Sequence, residues 1–273
     1  MMKWIDGFFM AWGMFTIIPC PRKKWNENAR PQMLAMFPLV GLIIGTVWAG
    51  VYLLVSGSAG TGIAAALLCI VPWVLTGFMH LDGFMDVCDA VLSRRGPEER
   101  RRILKDPHCG AFSVICLVIL ALLQWSACLS MENAAPDPLT ILCIPVTARA
   151  CAALAVMKLK PMQTSQYAAM NGQKNDVTAG GTAAGKTAGS GEKAGKTDTS
   201  GDRTVPVLIA ALFLLGAAVL PVIRCGSFAA LIAAVSYWTA AFCAYRNLEG
   251  MNGDISGFAL TVAELAGIMA VMI

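Results

Sequence analysis

Long apolar runs separated by short polar stretches repeat along almost the whole chain. A helix that crosses a hydrocarbon core of roughly 30 Å needs about 20 apolar residues. Seven runs approach this length, at 34–55, 59–79, 111–130, 138–157, 204–223, 227–245 and 256–273. The pattern therefore predicts an all-α, polytopic integral membrane protein with about seven transmembrane helices.

One further apolar stretch, at 4–18, is short and interrupted by glycine. Its length favours a helix that lies at the membrane interface or re-enters the membrane, and not a full span. A secretory signal is the alternative, but only Lys3 precedes the stretch and no small-x-small cleavage motif follows it. We therefore expect an amino-terminal interfacial helix that is retained.

Composition agrees with a membrane protein. Of the 273 residues, 57% are hydrophobic and 14% are charged, whereas charged residues make up about 25% of a soluble domain. The ten cysteines lie mostly inside the apolar runs, form no C-x-x-C pair and do not cluster with the two histidines. We interpret them as buried apolar thiols and not as metal ligands.

Lysine and arginine are distributed unevenly between the polar stretches. Segments 1–33, 81–110 and 158–203 hold five, six and seven of them, whereas 131–137 holds none. Because Lys and Arg concentrate on the cytoplasmic side of membrane proteins, these three segments and 246–255 are predicted to face the cytoplasm. The formal net charge of +4 then reflects topology and lipid contact, so we expect no nucleic acid partner.

Residues 171–203 are almost free of large apolar side chains and rich in Gly, Thr, Ala, Lys and Ser. This composition predicts a low-complexity, disordered cytoplasmic loop within a single membrane domain that covers 1–273. Inside the loop, GGTAAGKT at 180–187 matches the phosphate-binding pattern G-x-x-x-x-G-K-T. That pattern works only between a strand and a helix, and neither flanks it here, so we interpret the match as chance.

The acidic sequence HLDGFMDVCDA, at 80–90, follows the second apolar run directly. Asp82, Asp86 and Asp89 are spaced so that on a helix they form one stripe of carboxylates. Like charges at this spacing repel each other unless a cation binds them, and carboxylates suit Mg²⁺ or Mn²⁺. The stripe predicts a magnesium site, with a solvated helix end as the alternative.

Other polar residues adjoin the same predicted face of the membrane. Lys105 and Asp106 lead into the third run, and Asn252 and Asp254 lead into the last one. With the stripe, these acids suggest a two-metal site. Arginines at 94, 95 and 100–102 form a basic patch beside it, whose partner is either lipid head groups or a nucleotide diphosphate.

Three ionisable residues lie inside apolar runs or at their ends. Arg149 and Glu264 are placed where a charge costs at least about 2.5 kcal/mol; Arg149 either grips a substrate phosphate or only pairs with Glu264. His80 ends the second run beside the acids. It is a candidate base or a phosphate-steering group, or it is hydrogen-bonded to a neighbouring carboxylate.

These motifs resemble those of one family, the cobalamin synthases, also called adenosylcobinamide-GDP ribazoletransferases. The segments that carry the resemblance are FTIIP at 15–19, FPLVG at 37–41, TGFMHLDGFMDVCD at 76–89, KD at 105–106 with GAF at 110–112, and GD at 253–254 with Gly257. The resemblance covers nearly the whole chain except the low-complexity loop. The chain departs from the family pattern at His108, Cys109, Ser113 and Ala150 and in the length of that loop.

The resemblance implies transfer of α-ribazole, or its phosphate, onto adenosylcobinamide-GDP with release of GMP, at the cytoplasmic face of a bacterial inner membrane. It implies Mg²⁺ held by Asp82, Asp86, Asp89 and Asp254, with catalytic roles for His80, Asp82 and Asp106. Arg149, Lys105 and Asn252 would bind substrate. The implied partners are the two small-molecule substrates and the lipid bilayer, and a homo-oligomer stays open.

Two other functions remain alternatives. In a cation-coupled transporter, Arg149 and Glu264 would line a path, but the acids cluster at one face and no inverted repeat is visible. An alcohol phosphotransferase of the phospholipid-synthesis type shares the chemistry and carries a D-G-x-x-A-R pattern. Here Asp82-Gly83 is followed by Phe-Met-Asp, with no arginine.

Overall fold

The computed structural model describes residues 2–57, 61–162 and 203–272. These residues form eleven α-helices and one 3-10 turn, Glu27–Ala29. The helices are α1 (Met2–Phe15), α2 (Arg30–Ala35), α3 (Phe37–Val55), α4 (Thr61–Leu75), α5 (Met79–Leu92), α6 (Pro97–Ile103), α7 (Ala111–Ala134), α8 (Pro138–Lys158), α9 (Thr204–Cys225), α10 (Ala229–Leu248) and α11 (Gly253–Ala270).

The predicted all-α membrane fold is confirmed, but the number of spans differs from the seven predicted. Among the helices that the structure describes, five are long and apolar enough to cross a membrane, namely α3, α7, α8, α9 and α11. A sixth span results if α4 and α5, which meet at an angle of 90°, count as one broken span.

Two of the predicted spans account for the difference. The run at 59–79 gives α4, which has only 15 residues and ends at Leu75, so it is too short to cross a hydrocarbon core alone. The run at 227–245 gives α10, whose 20 residues include Ser236, Tyr237 and Thr239 near the middle. With these polar residues, and with Arg246 in its last turn, α10 is not among the helices apolar enough to cross a membrane.

Helix α8 is the centre of the bundle and packs against α3, α9, α10 and α11. Its contact with α3 depends on Gly41 and Gly45, which are spaced as in the G-x-x-x-G pattern of closely packed membrane helices. A methyl group on Gly41 would lie 2.6 Å from the carbonyl oxygen of Pro145, and one on Gly45 would collide with Leu142. The two glycines therefore let the α3 and α8 backbones touch.

The amino-terminal helix α1 lies against α2 and α3. Its Asp6 is only 2% exposed; it forms an ion pair with Arg22 at 2.9 Å and accepts a hydrogen bond from Asn26 at 2.9 Å. This buried carboxylate ties the helix to the chain that follows it. The predicted helix is therefore present, and its place relative to a membrane stays a prediction.

Several connecting segments meet at one end of the bundle. The backbone N–H of Ile17 donates to the carbonyl oxygen of Leu75. Pro161 and Met251 form an isolated bridge, and Arg100 on α6 donates to the side chain of Asn247 on α10. The predicted low-complexity loop 171–203, with the motif at 180–187, lies outside the described residues apart from its last position.

All ten cysteines are free thiols. Five are buried as predicted, whereas Cys109, Cys225 and Cys243 are exposed. The interpretation as buried thiols is therefore confirmed for only half of them.

Candidate active site

The acidic sequence at 80–90 forms helix α5, as its spacing predicts. A sharp turn precedes this helix, in which Gly77 has φ +60° and Phe78 has φ +62°. The left-handed conformation costs a residue such as Phe78 of order 1 kcal/mol. A methyl group on Gly77 would also approach Ile17 to 2.9 Å. This turn directs α5 away from α4 by 90°, so the acids face α11 at the end of the bundle.

Two glycines bring α5 and α11 together. A methyl group on Gly83 would lie 2.9 Å from the Cα of Asp254, and one on Gly257 would lie 3.2 Å from the Cα of His80. Each glycine thus faces the backbone of the opposite helix beside a polar residue. As a result, Asp82, in the first turn of α5, and Asp254, in the first turn of α11, line the same cleft.

Asn252 fixes the carboxylate of Asp254. Its side-chain oxygen accepts a bond from the backbone N–H of Ile255 at 2.9 Å, which caps α11. Its amide nitrogen donates to Oδ2 of Asp254 at 2.6 Å. Both ends of this amide are therefore engaged within the protein, and the structure gives Asn252 a positioning role beside its predicted contact with substrate.

The carboxylate stripe divides into two parts. Asp86 is half-buried and lies within electrostatic reach of Asp82, Asp254 and Asp89. Asp89, by contrast, accepts bonds from the backbone N–H groups of Gly110, at 2.8 Å, and Ser113, at 3.0 Å. N–H groups at the start of a helix have no partner within the helix, so Asp89 acts as a cap for α7.

The cleft between α1, α2, α3, α5, α8 and α11 has a volume of about 140 Å³. Asp82 and Asp254 line it together with an aromatic group made of Phe15, Phe37 and His80. His80 is 8% exposed, and no described residue bonds to its Nδ1. It is therefore not hydrogen-bonded to a neighbouring carboxylate through that nitrogen, which was one of the alternatives.

Arg149 and Glu264 form a buried ion pair between α8 and α11. Nη1 of Arg149 donates to Glu264 at 2.6 Å and to the carbonyl oxygen of Pro145 at 3.2 Å. The guanidinium also lies 5.9 Å from the centre of the Phe37 ring. Arg149 is fully buried and does not line the cleft. The geometry favours the alternative in which Arg149 only pairs with Glu264. Substrate binding by Arg149 stays a prediction.

Lys105 and Asp106 lie outside this cleft, on an exposed loop before α7. The backbone N–H of His108 donates to Asp106 at 3.0 Å and its ring lies 2.6 Å away. These bonds from His108 hold the pKa of Asp106 below its usual range. The loop therefore does not bring Asp106 to Asp82 and Asp254, and its catalytic role stays a prediction.

The basic patch is partly used within the protein. Arg101 pairs with Glu249 at the end of α10, and Arg102 pairs with Glu99 at 2.7 Å. The Arg101–Glu249 pair and the bond from Arg100 to Asn247 hold α6 against the end of α10, whereas the Arg102–Glu99 pair lies within α6. Arg100 and Arg101 therefore hold α6 in place against α10.

A family model described as cobalamin-5-phosphate synthase matches residues 7–272. The chain belongs to this family. Its membership favours neither the transporter nor the phospholipid-type alternative. No solved structure matches the chain.

Proteins named adenosylcobinamide-GDP ribazoletransferase are similar to this member of the cobalamin-5-phosphate synthase family over nearly its full length. One from Clostridium botulinum (strain Alaska E43 / Type E3) is 33% identical over 97% of this chain and 96% of its own. One from Clostridium perfringens (strain 13 / Type A) is 33% identical over 95% and 94%. Another, from Lachnoclostridium phytofermentans, is 29% identical over 100% and 95%.

In this cobalamin-5-phosphate synthase family member, the residues that sequence reasoning missed are those that hold the acids in place. Gly83 and Gly257 belong to the motifs that carried the resemblance. A small residue directly after Asp82 and after Ser256 was the available signal that two helices approach closely there. Phe15 and Phe37 also open two of those motifs, but their residue type alone gave no signal, because aromatic residues in apolar runs are ordinary core residues.

Proposed function

We propose that this protein transfers α-ribazole, or its phosphate, onto adenosylcobinamide-GDP and releases GMP. The observation that carries the proposal is the convergence of Asp82 and Asp254 on one cleft, in a chain that belongs to the cobalamin-5-phosphate synthase family. The names of its full-length relatives support the same reaction.

The reaction replaces one phosphorus–oxygen bond with another. A hydroxyl oxygen of the ribose attacks the phosphorus that carries the cobinamide, and the bond from that phosphorus to the bridging oxygen breaks. GMP leaves with the bridging oxygen and its electron pair. The proton of the ribose hydroxyl must pass to a base, and a carboxylate at the cleft is suited to receive it.

The acids also fit a magnesium ion. Within the described ranges, no three His, Cys, Asp or Glu side chains enclose a metal site. Mg²⁺, however, is commonly held by one or two carboxylates together with substrate phosphates. Asp82 and Asp254 supply such a pair, Asp86 lies beside them, and no described cation forms an ion pair with any of the three.

In this proposal Asp82 and Asp254 would hold Mg²⁺ together with the substrate phosphates, with Asp86 beside them. When bound, Mg²⁺ would neutralise charge on the pyrophosphate and on the leaving GMP. Asp89 is a less suitable ligand because both of its oxygens already accept backbone bonds. Asn252 keeps the Asp254 carboxylate in one orientation, which leaves Asp82 as the freer carboxylate to receive the proton.

We also propose that the protein lies in the bacterial cytoplasmic membrane with this cleft facing the cytoplasm. The segments that connect α1 to α2 and α5 to α7 carry Arg22, Lys23 and Lys24 and the arginines of α6. Because positive residues concentrate on the cytoplasmic side, this distribution supports the orientation. Lys105 and Asp106, on the same connections, would reach parts of the substrate that extend beyond the cleft.

The test is a reaction with purified protein in detergent, adenosylcobinamide-GDP, α-ribazole and Mg²⁺. We expect GMP and the cobalamin product in equal amounts, and no product when a chelator removes Mg²⁺. GMP without cobalamin product would indicate hydrolysis and contradict the transferase. Full activity in the chelator would contradict the magnesium site and leave the transferase standing.

A further inference from the structure

The enclosed end of the cleft is built from three rings on three different helices. The Phe15 and Phe37 rings lie 4.3 Å apart, and the His80 ring lies 6.3 Å and 6.1 Å from them. All three residues are buried. Apart from His80, the neighbouring wall is apolar, with Leu34, Ala152 and Val156. Such a wall suits a flat aromatic ring.

The size of the cleft restricts what enters it. Its volume is about 140 Å³, whereas pockets that enclose a whole drug-sized ligand have volumes of roughly 300–1,000 Å³. The corrin macrocycle is larger than a drug-sized ligand, so it must stay outside. Only one ring system of either substrate can occupy the enclosed end.

Polarity decides between the available rings. Guanine presents several donors and acceptors at its edge, and in an apolar pocket each unpaired one costs free energy. The dimethylbenzimidazole base of α-ribazole has a single free ring nitrogen. The enclosed wall offers one polar ring without a hydrogen-bond partner in the described part of the chain, the imidazole of His80, because the hydroxyl of Ser256 already lies 3.3 Å from that of Tyr237.

Resting on the function proposed above, we propose that Phe15, Phe37 and His80 form the binding pocket for the aromatic base of the acceptor alcohol, α-ribazole. His80 bonds to the free ring nitrogen of the base, and the two phenylalanines pack against the base. The ribose then lies toward Asp82 and Asp254, which line the other part of the same cleft. His80 is in this assignment a residue that recognises the acceptor.

The wild-type protein provides the first test. We compare the binding of α-ribazole with that of an analogue in which the free ring nitrogen is replaced by CH, using calorimetry in detergent without the corrinoid substrate. Loss of one hydrogen bond should weaken binding by about tenfold. Equal affinities for the two compounds would overturn the role of His80.

Two variants test the pocket itself. Ala152→Leu fills the cavity from α8 and Phe15→Leu removes a ring, so each should weaken α-ribazole binding at least tenfold while adenosylcobinamide-GDP binding stays within twofold. Phe8→Leu is the matched control, because Phe8 is on the same helix but packs against Phe9 and Trp12. Weaker binding of adenosylcobinamide-GDP in place of α-ribazole would assign the pocket to guanine and overturn the proposal.

Failure of the pocket and failure of the reaction give different results. If wild-type protein releases no GMP and forms no cobalamin, the proposed function is wrong. If it turns over normally and the two pocket variants keep wild-type affinity for α-ribazole, only the assignment of the base pocket is wrong. His80→Leu adds a specificity readout, since it should abolish the preference for α-ribazole over the CH analogue.

Discussion

Helix α11 contributes to two groups of ionisable residues that differ in almost every respect. Near its start, Asp254 shares a cleft with Asp82, and neither forms an ion pair with a described cation. Further along, Glu264 pairs with Arg149 at 2.6 Å, and the pair is sealed from solvent. A charge inside a membrane protein persists when it is paired, whereas unpaired carboxylates need water or a cation. The sealed pair is therefore typical of structure and the open pair of function.

Removing one partner of the sealed pair should have the largest effect. Arg149→Met leaves the Glu264 carboxylate buried without a counter-charge, which costs about 3–5 kcal/mol. We expect a large loss of thermal stability in detergent. The double variant Arg149→Met with Glu264→Gln should recover most of it, because no buried charge remains. Equal losses in the single and double variants would contradict a purely structural pair.

Kinetics of the same double variant address the predicted substrate contact of Arg149. If the pair is only structural, its KM for adenosylcobinamide-GDP should equal that of the wild type. A raised KM in the folded double variant would show that Arg149 also binds substrate.

Changing one carboxylate of the open pair, Asp82 and Asp254, should reduce activity and leave the stability of the protein intact. Asp82→Asn removes one negative charge with almost no change of volume. We expect GMP release to fall about 100-fold or more, which corresponds to roughly 2.7 kcal/mol of lost transition-state stabilisation. The melting temperature should stay constant or rise slightly, since repulsion among the acids is relieved.

The control for this change is Glu98→Gln, an exposed acid on α6. It alters the charge equally and should leave GMP release within twofold of the wild type. Normal turnover of Asp82→Asn at low magnesium would mean that the acids are only a solvated helix end.

This contrast also separates what the sequence could predict from what it could not. Apolar runs and the i, i+4, i+7 spacing predicted the helices and the α5 stripe, because both depend on local periodicity. The bend at Gly77 and the docking of Asp89 on α7 depend on contacts between distant segments, which periodicity does not encode. Predicted membrane topology alone grouped Asp106 with the other acids, but in the structure Asp106 lies on a loop outside the cleft.

The approach of α5 to α11 is the next target. In Gly83→Ala the added methyl group would lie 2.9 Å from the Cα of Asp254, so the helices must separate. Overpacking of this kind costs about 1–3 kcal/mol, and we expect activity to fall about tenfold. Gly50→Ala is the matched control, since nothing lies within 4 Å of a methyl group there. Equal behaviour of the two variants would show that the spacing of the acids is unimportant.

Asp89→Asn should have the smallest effect and distinguishes a cap from a metal ligand. Gly110 and Ser113 donate to different oxygens of Asp89, so the amide of Asn can accept only one of these bonds, and loss of the other costs about 1 kcal/mol. We expect a small drop in melting temperature and an unchanged magnesium requirement. A loss of activity as large as that of Asp82→Asn, with a higher magnesium requirement, would instead make Asp89 a ligand.

The bridge between Pro161 and Met251 has a consequence for engineering. Met162 donates to the carbonyl oxygen of Met251 and Met251 donates to that of Lys160, each at 2.9 Å. A methyl group on Gly250 would collide with Met162 at 2.7 Å, so the two strands of chain are held in direct contact. The bridge joins the segment that follows α8 to Met251, which lies three residues before Asp254. Insertions or fusion tags placed after position 162 should therefore be mechanically isolated from that turn, which makes this position a suitable attachment point for a reporter.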